Sequence, residues 1–421
     1  MLDIKFIRSN AAEVREAIER KNISCNLEDL FEMDDRRKHL LQEFESLKGE
    51  QNKANANIAA AQGEDKQEAI QEMKVVADKV KEVEEQLRKV EEEFELMMLG
   101  VPNILHKDVP IGKDEEENVV IEVVGDLPSF DFETKDHIDL MKKHDMVDIE
   151  RGVKLGGARS YFLKNDGVLL EQAILQYAFQ KMIKKGFTAM AVPNLVNTEC
   201  LIGTGYFPGG EEDVYHLERD NKWMIATSEI PVSAYHYNEI LKEEELPKTY
   251  VAMSPCYRRE AGSYGKDTAG LYRVHQFNKV EQVVIHSADK DEADRWLKEI
   301  LDNAREVLED LKIPYRVLQL CTGDLALGKY NSLDLECYMP SRESYGETHS
   351  ATSFLDFQAR RLKMRYKTKD GEIKYCYTLN NTVIASPRIL VALVENNQQE
   401  DGSIIVPKVL RPYLGKDIIT S

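Results

Sequence analysis

Between Met253 and Glu281 the chain carries Arg258, Arg259 and Glu260, then a loop around Gly262, Ser263 and Gly265, then Arg273-Val274-His275-Gln276-Phe277-Asn278-Lys279-Val280-Glu281. This spacing predicts two strands joined by a long loop. Successive strand side chains point to opposite faces, so Arg273, His275, Phe277, Lys279 and Glu281 share one face, and Val274, Gln276, Asn278 and Val280 the other. A face combining cations, carboxylates and one aromatic ring suits a polar ligand. At about 3.3 Å per residue, Phe277 and Glu281 stand roughly 13 Å apart, room for a flat ring at one end and a small charged group at the other. The competing reading is an exposed hairpin whose outer face is solvated, because charged residues are mostly exposed.

An aminoacyl-adenylate has the shape this face would take. Two further segments could serve its phosphates. Ser386 is placed to cap a helix, with Pro387 at its first position and Arg388 in its first turn. A helix N-terminus with an arginine is an anion site, although many helices begin this way for stability alone. Glu347-Thr348-His349-Ser350 offers a carboxylate and a hydroxyl of the kind that Mg²⁺ takes while bridging phosphates. His349 reads as a hydrogen-bonded structural histidine rather than a base. Thr227-Ser228-Glu229, after the strand-like Trp223 to Ala226, adds a hydroxyl and a carboxylate, or else caps a helix before Ile230-Pro231.

The elements that must position these residues begin with two heptad runs. Leu40, Phe44, Leu47, Gln51, Ala54, Ile58 and Ala61 are followed, after a break at Gln62-Gly63-Glu64-Asp65, by Met73, Val76, Val80, Val83, Leu87, Val90, Phe94 and Met97. Helices joined by so short a turn run antiparallel, which predicts a coiled-coil hairpin over about 31–98 within an N-terminal domain, 1–100. Charge along the hairpin is balanced from Lys48 to Lys81 and acidic at its base, at Glu84-Glu85 and Glu91-Glu92-Glu93. Gly100, Pro102 and the charged residues up to Asn118 read as a linker, 101–118, before a second domain, 119–421. There, strand-like runs (Val119 to Val124, Thr249 to Met253, Val280 to Ile285, Tyr315 to Leu320, Tyr375 to Leu379) mix with helices such as Leu169 to Lys185 and Asp289 to Leu311. No Gly-x-Gly-x-x-Gly or Walker-type loop is present, and the reading is α+β with a largely antiparallel sheet.

Composition bounds the function. The 421 residues carry a net charge of −19, with a pI near 5.1, so any contact with nucleic acid must be local. The six cysteines are scattered without metal-ligand spacing and read as reduced structural thiols. The first residues have no apolar signal core, and no apolar run approaches the roughly 18 residues of a membrane span, which makes the cytoplasm the expected location.

Taken together, Arg258 to Glu281, Glu347 to Ser350 and Asn380 to Glu395 resemble motifs 2 and 3 of the class II aminoacyl-tRNA synthetases. The wording Glu260-Ala261-Gly262 with Arg273 to Glu281 resembles the seryl-tRNA synthetase family. Gly186-Phe187 through Val192-Pro193-Asn194-Leu195-Val196 resembles motif 1, which implies a homodimer. The hairpin resembles the family's arm, which implies tRNA(Ser) as a partner beside ATP and L-serine; service to tRNA(Sec) stays open. The implied architecture is a class II catalytic domain, an antiparallel sheet flanked by helices, plus the coiled-coil arm.

By that resemblance Arg258 and Arg388 are the catalytic cations, Arg258 on the α-phosphate and serine carboxylate, Arg388 on the γ-phosphate. Glu260 would hold the adenine amino group and Phe277 would stack on the ring, with Arg259, Arg273, Val274, Thr348 and His349 completing the ATP site. Glu347 and Ser350 would hold Mg²⁺. Thr227, Glu229, Glu281, Asn380 and Thr382 would surround the serine, their division between ammonium and hydroxyl left open. Asn381-Thr382 and Pro387 depart from the commonest bacterial spelling, Asn-Gly-Ser and Gly, yet Thr382 keeps the hydroxyl. The zinc-dependent archaeal form uses a cysteine ligand that is missing here, so zinc is not expected. Only residues 389–421 follow Arg388, too few for the anticodon domain of the threonine, proline, histidine and glycine enzymes. The rival readings are an amino acid:carrier-protein ligase, which lacks this arm, and an inactive synthetase-like scaffold.

Overall fold

A computed structural model of the chain describes residues 1–60, 62–261 and 270–420. Ala61 and the loop around Gly262, Ser263 and Gly265 therefore lie outside the described residues. The chain forms two compact units, Leu2–Pro102 and Asn103–Ser421.

In the first unit, helices α1 (Leu27–Ala60, 34 residues) and α2 (Glu64–Leu99, 36 residues) pack side by side. At 1.5 Å per residue each is about 50 Å long. Neither Pro nor Gly interrupts α2, and Gly63, at φ 66°, supplies the left-handed backbone that separates the helices. The heptad seam is the observed one. Leu40, Val83, Leu87 and Val90 form a buried cluster with Phe44 and Leu47 packed against it, while Ala54, Ile58, Met73 and Val76 farther along are only half-buried. Near the buried end, Arg37 lies 4.7 Å from the Phe94 ring centroid.

The second unit is built on an eight-stranded sheet. Its strands, in chain order, are β1 (Val119–Val124), β2 (Thr188–Met190), β3 (Lys248–Tyr257), β4 (Gln276–His286), β5 (Tyr315–Gln319), β6 (Asn331–Met339), β7 (Ser344–Leu355) and β8 (Tyr377–Ser386). Their spatial order is β1-β5-β6-β7-β8-β4-β3-β2, antiparallel throughout except for the β2/β3 pair. Helices α3 (Asp166–Lys184), α4 (Lys290–Leu311) and α5 (Arg388–Asn396) bury Leu170, Ile300 and Leu390 in one core with Val280 and Val284 of β4. Upstream of β1, Asn103 donates from Nδ2 to the carbonyls of Gly328 (3.1 Å) and Phe354 (2.8 Å), and Asn118 to Asp324 (2.8 Å). Among the described residues, no helix is long and apolar enough to cross a membrane.

Strand alternation on β4 sets up the site. Val280, Gln282 and Val284 face the helices, with Gln282 bonded to the Ile300 carbonyl at 2.8 Å, which leaves Phe277, Lys279 and Glu281 on the opposite face. Two irregularities then re-aim neighbouring side chains. One extra residue in β8, Val383, puts Thr382 opposite Glu281, and one in β7, Thr348, separates the pairs Glu336/Glu347 and Leu335/His349.

Three local expectations need correction. The strand holding Phe277 begins only at Gln276, paired with Tyr257, so alternation fails before it: Arg273 and Val274 both face the cavity, while His275 turns away and bonds the Arg258 carbonyl through Nδ1 at 3.0 Å. The run from Tyr375 to Leu379 is not one strand, because Cys376 leaves the ladder to bond the Met364 carbonyl between the strands Ile373–Tyr375 and Tyr377–Ser386. Ser386 ends β8 instead of capping α5, whose cap position is Pro387. Its hydroxyl donates to Glu171 at 2.7 Å.

Candidate active site

A cavity of about 270 Å³ opens on the face of β4, β7 and β8 that the helices leave uncovered. It gathers Arg258, Glu260, Arg273, Val274, Phe277, Glu347, Thr348, His349, Ser350 and Arg388 together with Glu229, Glu281, Asn380 and Thr382. Two expected residues are not on its wall. Thr227 is buried and accepts the Glu229 amide at 3.2 Å through Oγ1, and Arg259 is exposed, its own amide bonded to the Asp213 carbonyl at 2.8 Å.

Along the floor, the Arg258 guanidinium lies 5.1 Å from the Phe277 ring centroid and donates from Nε to the Ala226 carbonyl at 3.3 Å. No other hydrogen bond occupies this guanidinium among the described residues, which leaves its remaining donors for an anion. Glu260 has a left-handed backbone, φ 55°, and pairs with Arg273 at 3.5 Å. In the same cavity, Arg388 donates to the carbonyls of Tyr272 (3.2 Å) and Glu347 (2.7 Å), stacks 4.3 Å from the Tyr272 ring and meets the Glu347 carboxylate at 3.5 Å. These contacts hold the guanidinium at the helix N-terminus.

His349 is buried between the Val383 carbonyl (3.0 Å from Nε2) and Thr348 Oγ1 (2.8 Å from Nδ1). Burial pushes it down to about 4, so it is neutral at physiological pH and structural rather than a base. Sequence reading missed Asp334, the register partner of Ser350, whose hydroxyl it accepts. Burial first, then the charge of Glu347, pushes Asp334 up to about 7, and its buried Oδ1 has no hydrogen-bond partner among the described residues. A strand carboxylate gives no such signal until the pairing is known. An orphaned carboxylate oxygen beside Glu347 and Ser350 is what an oxygen-seeking divalent cation would relieve, so these residues fit Mg²⁺.

The other end of the cavity is acidic. Glu281 pairs with Lys279 at 2.5 Å, both buried, and accepts from the Thr382 hydroxyl at 3.4 Å. Glu229 has no ion pair among the described residues. Burial, then the charge of Glu281, pushes it up to about 7. Asn380 lines the same cavity, its buried Nδ2 without a hydrogen-bond partner among the described residues. Beside one another, Glu281, Glu229 and Asn380 therefore offer a carboxylate with an ion pair, a carboxylate without one among the described residues, and an amide donor.

Residues 215–397 match the family model of the tRNA synthetase class II core domain (G, H, P, S and T), and residues 1–105 that of the seryl-tRNA synthetase N-terminal domain. A serine–tRNA ligase of Deinococcus radiodurans is 45% identical over 416 residues, which cover 99% of this chain and 98% of that protein. The chain belongs to the seryl-tRNA synthetase family. The crystal structure of the Pyrococcus horikoshii seryl-tRNA synthetase complexed with ATP matches at TM-score 0.90 and 35% identity, covering 100% of this chain and 99% of that one. The cytoplasmic enzyme of Naegleria fowleri in complex with AMP matches at TM-score 0.86 and 28% identity, over 100% and 99%. As a member of this family, the chain activates serine with ATP and ligates it to tRNA. Its α+β core and helical N-terminal unit are those expected of a seryl-tRNA synthetase.

Proposed function

We propose that the cavity binds ATP and serine end to end, that residues 1–100 bind tRNA(Ser), and that 101–118 join them to the catalytic domain, 119–421, in a cytoplasmic homodimer paired through the motif 1 region. The observation that carries the reading is Arg258 placed against the Phe277 ring in the same cavity as Glu229 and Glu281. Phe277 stacks on adenine, Glu260 takes its amino group, and Arg273 steadies Glu260. Removing the ring in Phe277→Ala raises the KM for ATP about tenfold or more, a stacking loss of roughly 1–3 kcal/mol, with little change in the KM for serine. An unchanged ATP KM in exchange assays would remove Phe277 from the adenine site.

Serine divides itself by charge. Lys279 already neutralises Glu281, so the ammonium goes to uncompensated Glu229, and the hydroxyl goes to Glu281 and Thr382. Alanine supplies no hydroxyl, so the hydrogen-bonding capacity that Glu281 and Thr382 keep beyond their contacts with Lys279 and with each other goes unmet, a cost of about 1–3 kcal/mol, whereas threonine is refused by size. Thr382→Val, nearly isosteric, lowers the preference for serine over alanine about tenfold in kcat/KM for pyrophosphate exchange. A preference equal to that of the parent protein would refute the hydroxyl assignment.

The serine carboxylate is ionised near neutral pH, so its attack on the α-phosphorus needs no general base, only alignment and neutralised phosphate charge. Arg258 spans the carboxylate and the α-phosphate, and Arg388 draws the γ-phosphate away from the line of attack. Mg²⁺, held by Glu347 and Ser350, supplies further neutralisation of the phosphates when bound. The new C–O–P linkage forms as pyrophosphate leaves. A hydroxyl of the terminal tRNA ribose then attacks the carbonyl carbon, and AMP departs.

A further inference from the structure

Behind Glu229 sits a buried amide side chain that lines no part of the cavity wall. Gln358, fully buried in the short helix Phe357–Arg361, donates from Nε2 to Glu229 Oε1 at 2.9 Å and to the Thr204 carbonyl at 3.0 Å. Its Oε1 accepts the hydroxyl of Thr378, also fully buried, at 2.8 Å. The orientation of this amide is decided by its neighbours. A backbone carbonyl only accepts, so the nitrogen must face Thr204 and Glu229, and the oxygen must face the one group able to donate. Both amide hydrogens are then committed.

We propose that Gln358, oriented by Thr378, is a positioning residue for serine, which holds Glu229 Oε1 as an acceptor and presents the other carboxylate oxygen to the substrate ammonium. This rests on the assignment of the ammonium to Glu229. The platform behind the carboxylate is rigid. Arg361, one turn from Gln358, donates from Nη1 to the carbonyls of Ile202 (3.0 Å) and Phe207 (2.9 Å), and a Cβ at Gly203 would stand 2.2 Å from Leu362 Cδ2. The segments carrying Thr204 and Gln358 thus interlock, with the Leu362 side chain seated on Gly203 and Arg361 on two carbonyls.

Charge supports the geometry. Burial and the facing Glu281 carboxylate push Glu229 toward its neutral form, with the buried Tyr206 phenol also in its field. Opposing them are the Gln358 hydrogen bond, first in size, then Lys279 and Lys329. A neutral acid attracts an ammonium far less than a carboxylate does. Losing the Gln358 donor raises the Glu229 pKa, so less of it is ionised near pH 7 and serine binding moves to higher pH.

The test is serine-dependent ATP–pyrophosphate exchange with the full chain across pH 6 to 9, comparing Gln358→Met, Thr378→Val and Glu229→Gln. Gln358→Met is expected to raise the KM for serine about 10- to 100-fold at pH 7, as for a lost hydrogen bond to a charged group, with the ATP KM and the kcat at saturating serine within about twofold. The midpoint of the pH profile of kcat/KM for serine moves alkaline. Thr378→Val, which leaves the amide in place but unoriented, gives the same split and the same direction of shift at smaller size. A serine KM that stays put in both variants, or a uniform fall of kcat and both affinities with an unmoved pH midpoint, overturns the positioning role. Glu229→Gln separates the two claims. If it leaves the serine KM unchanged, the ammonium assignment fails; if it raises that KM while both other variants are silent, only the role of Gln358 fails.

Discussion

Arg258→Ala abolishes serine-dependent ATP–pyrophosphate exchange, lowering kcat/KM by about a thousandfold or more while the chain stays folded. Removal of a single neutral donor to a developing oxyanion typically costs about 10²- to 10³-fold, and Arg258 is asked to serve two anions with a full charge. The neighbouring cations have partners of their own, Arg388 on the Tyr272 and Glu347 carbonyls and Lys279 on Glu281. Among the described residues the side chain makes one hydrogen bond, to Ala226 at 3.3 Å, beside its contact with the Phe277 ring, so its loss orphans a single backbone carbonyl. Arg258→Lys keeps the charge and loses the planar fork, so it recovers only part of the activity. Circular dichroism on the same sample checks the fold. Near-normal exchange in a folded Arg258→Ala chain would remove this residue from the reaction.

The second large effect separates the two chemical steps. Deletion of Glu50 to Lys81, with the cut ends joined by a short Gly linker, spares adenylate formation to within about twofold but lowers kcat/KM for tRNA charging by about a thousandfold or more. The cut removes no member of the buried cluster Leu40, Val83, Leu87 and Val90, so the base of the hairpin keeps its own core. It also removes the charge-balanced half and leaves the acidic Glu84-Glu85 and Glu91-Glu92-Glu93 base. A phosphate backbone is repelled there and tolerated farther out. Exchange and charging assays on one preparation check this, and equal loss of both steps would deny the arm a dedicated role in tRNA binding.

The parts of the molecule that were legible in the sequence are those governed by periodicity. The heptads set the seam of α1 and α2 because a seam is a local repeat, and β4 from Phe277 onward follows simple alternation. What escaped was non-local. Alternation was extended back through His275 because nothing in the sequence says where a ladder starts; only Tyr257 across the sheet decides that. Ser386 looked like a cap until Glu171, far away in α3, claimed its hydroxyl. Asp334 and Gln358 lie on ordinary-looking segments and gain meaning only from Ser350 and Glu229, which the fold brings to them. The grouping of Glu347 with Ser350 at the cavity was anticipated in residue type, but the bulge at Thr348 that shapes that stretch of β7 was not.

The most direct test of the account is a paired assay of the purified full chain with ATP, Mg²⁺ and tRNA(Ser), in which pyrophosphate exchange and charging of the 3′ end are measured with serine, alanine and threonine in turn. Serine alone is expected to drive both exchange and charging, with AMP released for each serine transferred. Serine-dependent adenylate that is never passed to tRNA, or exchange that runs equally with alanine, would contradict it.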